Sequence, residues 1–164
     1  MGELPGTASA AATIGAGLDD LDAKLRRAPA PSASLVHEIV RVCPRLALLI
    51  QCGNARDIER LARAGAWTDL AFALVRLGLP RWQVRRIACE DGEWHCALSQ
   101  QPNVPLPFDD AAEAQHAVLP LAMLRAFVDA LRMSAPGRPE RPVPVSVPRV
   151  GQEPASPICC DDFS

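Results

Sequence analysis

The sequence is poor in the large aromatic residues that usually anchor a core. It has no tyrosine, and only four phenylalanines and three tryptophans are spread over its 164 residues. A core must therefore depend on leucine, valine and isoleucine, because alanine contributes little buried area per residue. We expect the few large members of that core to be Trp67, Trp82, Trp94, Phe72, Phe108 and Phe127.

Lysine and asparagine are also scarce. Lys24 is the only lysine among 17 basic residues, while alanine, arginine, proline and glycine are abundant. This composition is typical of a GC-rich genome and predicts a bacterial source. The formal net charge of −2 gives no reason to expect nucleic acid or an anionic membrane as a partner.

The chain lacks the signals that export or anchor a protein. Its first residues contain no basic start followed by an apolar run, and no stretch approaches the roughly 18 apolar residues of a membrane span. The sequence therefore predicts a cytoplasmic protein without a membrane segment. In that compartment the six cysteines are expected to be free thiols.

Composition divides the chain into three parts. Residues 1–31 are predicted to be a flexible head with one short helix, which carries Leu18, Leu21 and Leu25 at helical spacing. Residues 32–133 are predicted to be a single folded, helix-rich domain. Residues 134–164 contain seven prolines and are predicted to be a disordered, proline-rich tail that favours extended polyproline-like conformers.

Apolar residues at three- and four-residue steps predict helices in the first half of the domain. Ser34 is the expected N-cap of one helix, and Pro44 predicts either a kink or the start of a second helix. Asn54 is expected to cap the next helix, which Gly65 ends, and Thr68 to begin another.

Residues 82–99 change from a helical period to a period of two and predict a β-hairpin. Its turn is expected at Asp91-Gly92, one of the strongest short-range hairpin signals. A two-residue loop there predicts the pairs Glu90–Glu93, Cys89–Trp94, Ala88–His95, Ile87–Cys96 and Arg85–Leu98. The core-facing side should then carry Cys89, Trp94, Ile87, Cys96 and Leu98, and the other side Ala88, His95, Arg86 and Ala97.

The last helix is predicted to open at Asp110, with Glu113 three residues on in a capping-box arrangement. Pro120 should kink or restart this helix, and Arg125 should pair with Asp129 at the i, i+4 spacing. The fold class predicted from these elements is α+β, with four to five helices packed on one two-stranded antiparallel β-hairpin.

No familiar catalytic motif occurs in the sequence. There is no phosphate-binding glycine loop, no G-x-S-x-G, no H-E-x-x-H and no C-x-x-C pair. Trp94-His95-Cys96 places a base beside a thiol, but adjacent strand residues point to opposite faces. The spacings of Cys43, Cys52, Cys89 and Cys96 do not match known zinc sites. We therefore assign no catalytic, cofactor-binding or metal-binding residue.

Arg56, Arg60 and Arg63 follow one another at i, i+4 and i+7 and form a candidate anion-binding face. Residues 55–77 also have the outline of a helix–turn–helix. The second helix, however, is apolar and has Asp69 near its start, which suits a core and not a major groove.

These observations favour a small non-enzymatic interaction or accessory protein, whose tail or hairpin surface contacts a protein partner. One alternative is a thiol-dependent enzyme or redox protein that uses Cys89, Cys96 or the Cys159-Cys160 pair. The second alternative is anion or nucleic-acid binding through Arg56, Arg60 and Arg63.

Overall fold

A computed structural model describes residues 7–53, 56–105 and 110–135, with side chains from residue 15 onward. The described chain contains six α-helices and one three-stranded antiparallel sheet. In order, the elements are α1 (Thr7–Arg27), α2 (Ala33–Val42), α3 (Pro44–Gln51), α4 (Arg56–Arg63), α5 (Trp67–Gly78), β1 (Gln83–Glu90), β2 (Glu93–Ser99), β3 (Ala112–His116) and α6 (Leu119–Ser134).

The α+β class is confirmed, but the two-stranded sheet is wrong because β3 pairs with the second edge of β2. The predicted helix start at Asp110 and Glu113 is also wrong, since Glu113 lies within this strand. Ala112 and Ala114 sit opposite Leu98 and Cys96, so the strand satisfies β2 backbone groups and adds small apolar side chains to the core. The described residues form six helices, whereas the sequence predicted four to five.

The hairpin forms as expected near its turn and departs from the prediction at its far end. Asp91 and Gly92 both have positive φ angles, 52° and 84°, as a type I′ turn requires. The first four predicted pairs are confirmed. The pair Arg85–Leu98 is wrong, because a bulge at Arg85 brings Val84 opposite Leu98.

The bulge follows from where the apolar residues of β1 stand. Val84 and Ile87 are three positions apart, so a regular strand would send them to opposite faces of the sheet. One extra residue between them places both against the core, as both pack there. Cys96 and Leu98 are buried on this face, whereas Cys89 is exposed near the turn.

Helix α6 lies at the centre of the core. It begins at Leu119 with Pro120 in its first turn, and it packs against β2, β3, α1 and α5. Phe127 is fully buried, and Gly78 at the end of α5 approaches it so closely that a Cβ there would lie 2.9 Å from Phe127 Cζ. Small and large residues thus interlock where α5 meets α6.

Helix α1 is longer than the short helix predicted within residues 1–31. Its buried Leu18, Leu21 and Leu25 belong to the same core as α6. Polar contacts reinforce this packing, because Asp22 accepts hydrogen bonds from Arg125 on α6 and from Arg26, both at 3.0 Å. The ion pair predicted between Arg125 and Asp129 is therefore replaced by a pair between helices.

The remaining helix boundaries differ little from the expectations. Ser32, and not Ser34, is the N-cap of α2, because its Oγ accepts from the Leu35 N–H. Pro44 begins a separate helix, which was one of the two predicted outcomes. Asn54 lies outside the described residues, as do Phe108 and the residues from 136 onward.

Candidate functional site

Helices α4 and α5 are joined by a tight turn that brings their side chains together. Gly65 has a positive φ angle of 68°, the Ala66 N–H donates to Leu61 O at 3.0 Å, and the Gly65 N–H donates to Ala62 O at 3.2 Å. These two bonds form the Schellman arrangement that ends a helix. The turn reverses the chain so that Leu61 lies near the outer side of α5.

Phe72 is the unexpected residue of α5. Leu70, Leu74 and the neighbouring small residues bury one side of the helix, but 42% of the Phe72 surface remains exposed. Asp69 and Arg76 lie three and four residues away from it, so all three share the outward side of the helix. An exposed phenylalanine between two charged residues is not needed for the core.

Trp82 connects the end of α5 to the end of α6. It is 5% exposed, and its indole N–H donates to Ser134 Oγ at 3.0 Å. The Ser134 hydroxyl in turn donates to Ala130 O at 2.8 Å. A buried tryptophan thus has its polar group satisfied by the last turn of α6.

A groove of about 690 Å³ runs between these elements and the start of β1. We call it the α4–α5–β1 groove. β1 pairs with β2 on one side, and no described strand pairs with its other edge. The groove is lined by Asp57, Arg60, Leu61, Asp69, Phe72, Ala73, Val75, Arg76, Pro80, Trp82, Gln83 and Val84.

The groove lining combines apolar and charged side chains. Its apolar members include Leu61, Phe72, Trp82 and Val84, and its charged members are two aspartates and two arginines. Among the described residues that line it, none is a cysteine, histidine or serine that could act as a nucleophile or an imidazole base. An apolar surface with a few charged groups fixes the position of an extended chain through contacts with alternate side chains.

None of the four cysteines in the described residues lines the groove, and two of them are buried. Cys43 and Cys96 are buried, and burial raises the pKa of both thiols, that of Cys96 to about 11. A raised pKa keeps the unreactive thiol form at neutral pH. Cys52 and Cys89 are exposed, while the Cys159-Cys160 pair lies outside the described residues.

His95 and Cys96 both border a second depression of about 330 Å³, but Cys96 is buried and no hydrogen bond joins the two side chains within the described residues. This depression also has Arg86, Glu113 and Arg125 on its walls. Among the described side chains, no three His, Cys, Asp or Glu residues come close enough to hold a metal ion.

The arginine face of α4 is partly neutralised by neighbours on the same helix. Arg60 contacts Asp57 at 3.4 Å and Arg63 contacts Glu59 at 3.2 Å, with all four side chains largely exposed. Such pairs contribute little to stability, but they reduce the positive charge that an anion would meet. Arg60 is the member of this face that also lines the groove.

Sequence analysis missed Phe72 as a surface residue because α5 is apolar on most of its circumference. The spacing of the charged residues carried the signal. Asp69 and Arg76 lie three and four residues from Phe72, so they mark the side of the helix that faces outward and that Phe72 shares. The hairpin alone predicts that β1 has an outer edge, but not that the start of β1 lies beside α4 and α5.

No helix within the described ranges is both long and apolar enough to cross a membrane. In comparisons with known proteins, no family model, curated protein or solved structure matches the chain.

Proposed function

We propose that this protein is a non-enzymatic interaction protein that holds an extended segment of a partner protein in the α4–α5–β1 groove. The observation that carries the proposal is Phe72, which is 42% exposed on the outward side of α5, in a groove that also includes Gln83 and Val84 of β1, a strand whose outer edge pairs with no other described strand. Exposed aromatic residues in grooves are frequent anchors of binding. The proposal includes a bacterial source, as the composition predicts, and a cytoplasmic location, as the sequence analysis predicts.

The groove favours an extended segment over a folded surface. An edge strand offers backbone donors and acceptors to a chain lying alongside it, and the apolar lining offers contacts to every second or third side chain. Asp69 and Arg76 stand on either side of Phe72 along the same face, so they can select charged residues that flank an apolar anchor.

The two alternatives have weaker support. A thiol mechanism at Cys96 would need a stabilised thiolate, whereas burial raises the pKa of Cys96 to about 11. Cys89, the other described candidate, is exposed, and neither cysteine is among the described residues that line the groove. Anion binding on α4 would use Arg56, Arg60 and Arg63, and two of the three, Arg60 and Arg63, already contact Asp57 and Glu59.

The test is a selection of random peptides on the immobilised full chain, repeated on two serine variants. Phe72→Ser removes the proposed anchor. Leu48→Ser is the matched control, because Leu48 is the other large, exposed apolar side chain among the described residues, 61% exposed on α3 and outside the groove lining. Circular dichroism checks that both variants keep their helix content.

We expect peptides with an apolar anchor to be enriched on the wild-type chain and on Leu48→Ser, and to be lost on Phe72→Ser. Equal enrichment on all three chains, or no enrichment on the wild type above the Phe72→Ser background, would show that the groove is not the binding surface.

A further inference from the structure

We propose that the partner segment in the α4–α5–β1 groove carries one basic and one acidic side chain, on opposite sides of its apolar anchor. The basic side chain contacts Asp69 and the acidic one contacts Arg76. This charge pattern rests on the proposed function, since the segment lies in the same groove against Phe72. It specifies the class of partner: a segment of mixed charge, and neither a basic nor an acidic one.

Four residues of α5 form one stripe of the groove lining. Asp69, Phe72, Ala73 and Arg76 follow one another at i, i+3, i+4 and i+7, a spacing that places side chains on one face of a helix. Phe72 is 42% exposed and Ala73 is 8% exposed, so the centre of the stripe is apolar. The charges stand at its two ends, because Asp69 lies in the first turn of α5 and Arg76 in the last.

Both end charges are exposed and available to a ligand. Neither Asp69 nor Arg76 makes an ion pair or hydrogen bond through its side chain with another described residue. The other two charges of the described lining, Asp57 and Arg60, contact each other at 3.4 Å. The groove therefore offers one uncompensated negative charge and one uncompensated positive charge, separated by an apolar centre.

An extended segment matches the distance between these charges. Seven residues of helix place Asp69 and Arg76 about 10.5 Å apart along the axis of α5. In an extended chain, the side chains two positions before and two positions after an anchor share its side and are about 13 Å apart. Flexible lysine, arginine or glutamate side chains span the difference. A segment with two like charges would place one of them against a repelling group, which costs affinity.

The experiment selects peptides of nine residues, with a central phenylalanine or leucine and random residues elsewhere, on the immobilised full chain. The selection is repeated on the charge reversals Asp69→Lys and Arg76→Glu. Glu93→Lys and Arg81→Glu are the matched controls, because they make the same changes of net charge at exposed positions outside the groove lining. Sequencing of the enriched pools gives the charge on each side of the central residue.

We expect the wild type and both controls to enrich peptides with opposite charges on the two sides, about fivefold over peptides with two like charges. Asp69→Lys should instead enrich peptides with acidic residues on both sides, and Arg76→Glu peptides with basic residues on both sides. These expectations hold for either direction of the bound chain. The preferences should weaken in 1 M salt, where the Debye length is about 3 Å.

Neutral variants guard against a loss of folding. Asp69 and Arg76 both lie at the helix ends that the dipole favours, so reversing them costs some stability, which circular dichroism measures. Asp69→Asn and Arg76→Gln keep the shape of each side chain. Asp69→Asn should lose the enrichment of the basic residue and keep that of the acidic one, and Arg76→Gln should do the reverse.

The same flanking charges on the wild type and on both groove reversals would overturn the charge pattern. A shift in Arg81→Glu or Glu93→Lys as large as in the groove variants would overturn it as well, because net charge would then select the peptides. In either case, enrichment that disappears on Phe72→Ser would leave the proposed function standing. Enrichment on the wild type no greater than on Phe72→Ser would remove the proposed function together with the charge pattern.

Discussion

The ion pair between Asp22 and Arg125 should be one of the most sensitive polar contacts in the fold. Both side chains are largely buried, with 13% and 12% of their surfaces exposed, and they join α1 to α6 at 3.0 Å. Arg125 also donates to the Gln115 carbonyl on β3, so its guanidinium links three elements. Removing one partner of a buried pair leaves the other charge without compensation.

We therefore expect Asp22→Ala to lower the free energy of unfolding by about 3 kcal/mol, the lower end of the range for buried pairs. The matched control is Glu59→Ala, which removes an exposed pair with Arg63 and should cost no more than about 0.5 kcal/mol. Urea unfolding followed by circular dichroism measures both. For a chain of this size the Asp22 change should lower the melting temperature by roughly 6–12 °C.

The double variant Asp22→Leu/Arg125→Met tests whether the cost of Asp22→Ala comes from the charge left on Arg125. Because it removes both charges and keeps apolar volume, it should recover more than half of the stability that Asp22→Ala loses. An Asp22→Ala cost as small as that of Glu59→Ala would refute the reasoning. It would mean that water solvates Arg125 and that α1 is not held to α6 by this pair.

Two further predictions follow from close packing and from a buried thiol. Gly78→Ala should destabilise the protein by about 1–2 kcal/mol in urea unfolding, because the added Cβ would lie 2.9 Å from Phe127 Cζ. Gly15→Ala is the control and should be neutral or stabilising, because nothing lies within 4 Å of its Cβ position. Equal effects of the two substitutions would contradict this packing. Burial raises the pKa of the Cys96 thiol from 9.0 to about 11, so the folded protein holds this proton more tightly than the unfolded chain does. The free energy of unfolding should therefore be unaffected below pH 9 and should fall by on the order of 2 kcal/mol as the pH rises to about 11. Cys96→Ala should reduce this alkaline loss and Cys52→Ala, at an exposed position, should not; identical pH profiles would refute the assignment.

The hairpin could be predicted because its signals are local. Asp91-Gly92 determines the turn, and a two-residue loop then determines the adjacent pairs. The bulge at Arg85 was missed because it serves the packing of Val84 and Ile87 on the same face, which becomes visible only once the core side of the sheet is known.

Strand β3 was missed for a different reason. Asp110 and Glu113 fit the spacing of a capping box, and five residues are too few to establish an alternating pattern. What makes the segment a strand is the unpaired edge of β2, a tertiary partner that local spacing does not contain. The groove depends on tertiary placement in the same way, since Phe72 becomes notable only when the rest of α5 is seen to be buried.

The most direct test of the account is the affinity of one selected peptide for three chains, measured by isothermal titration calorimetry. If the α4–α5–β1 groove is the binding surface, Phe72→Ser should weaken the peptide by about 10- to 100-fold, as the loss of an aromatic anchor does. Leu48→Ser should remain within about twofold of the wild type. Equal affinities for Phe72→Ser and the wild type, or a larger loss in Leu48→Ser, would contradict the account.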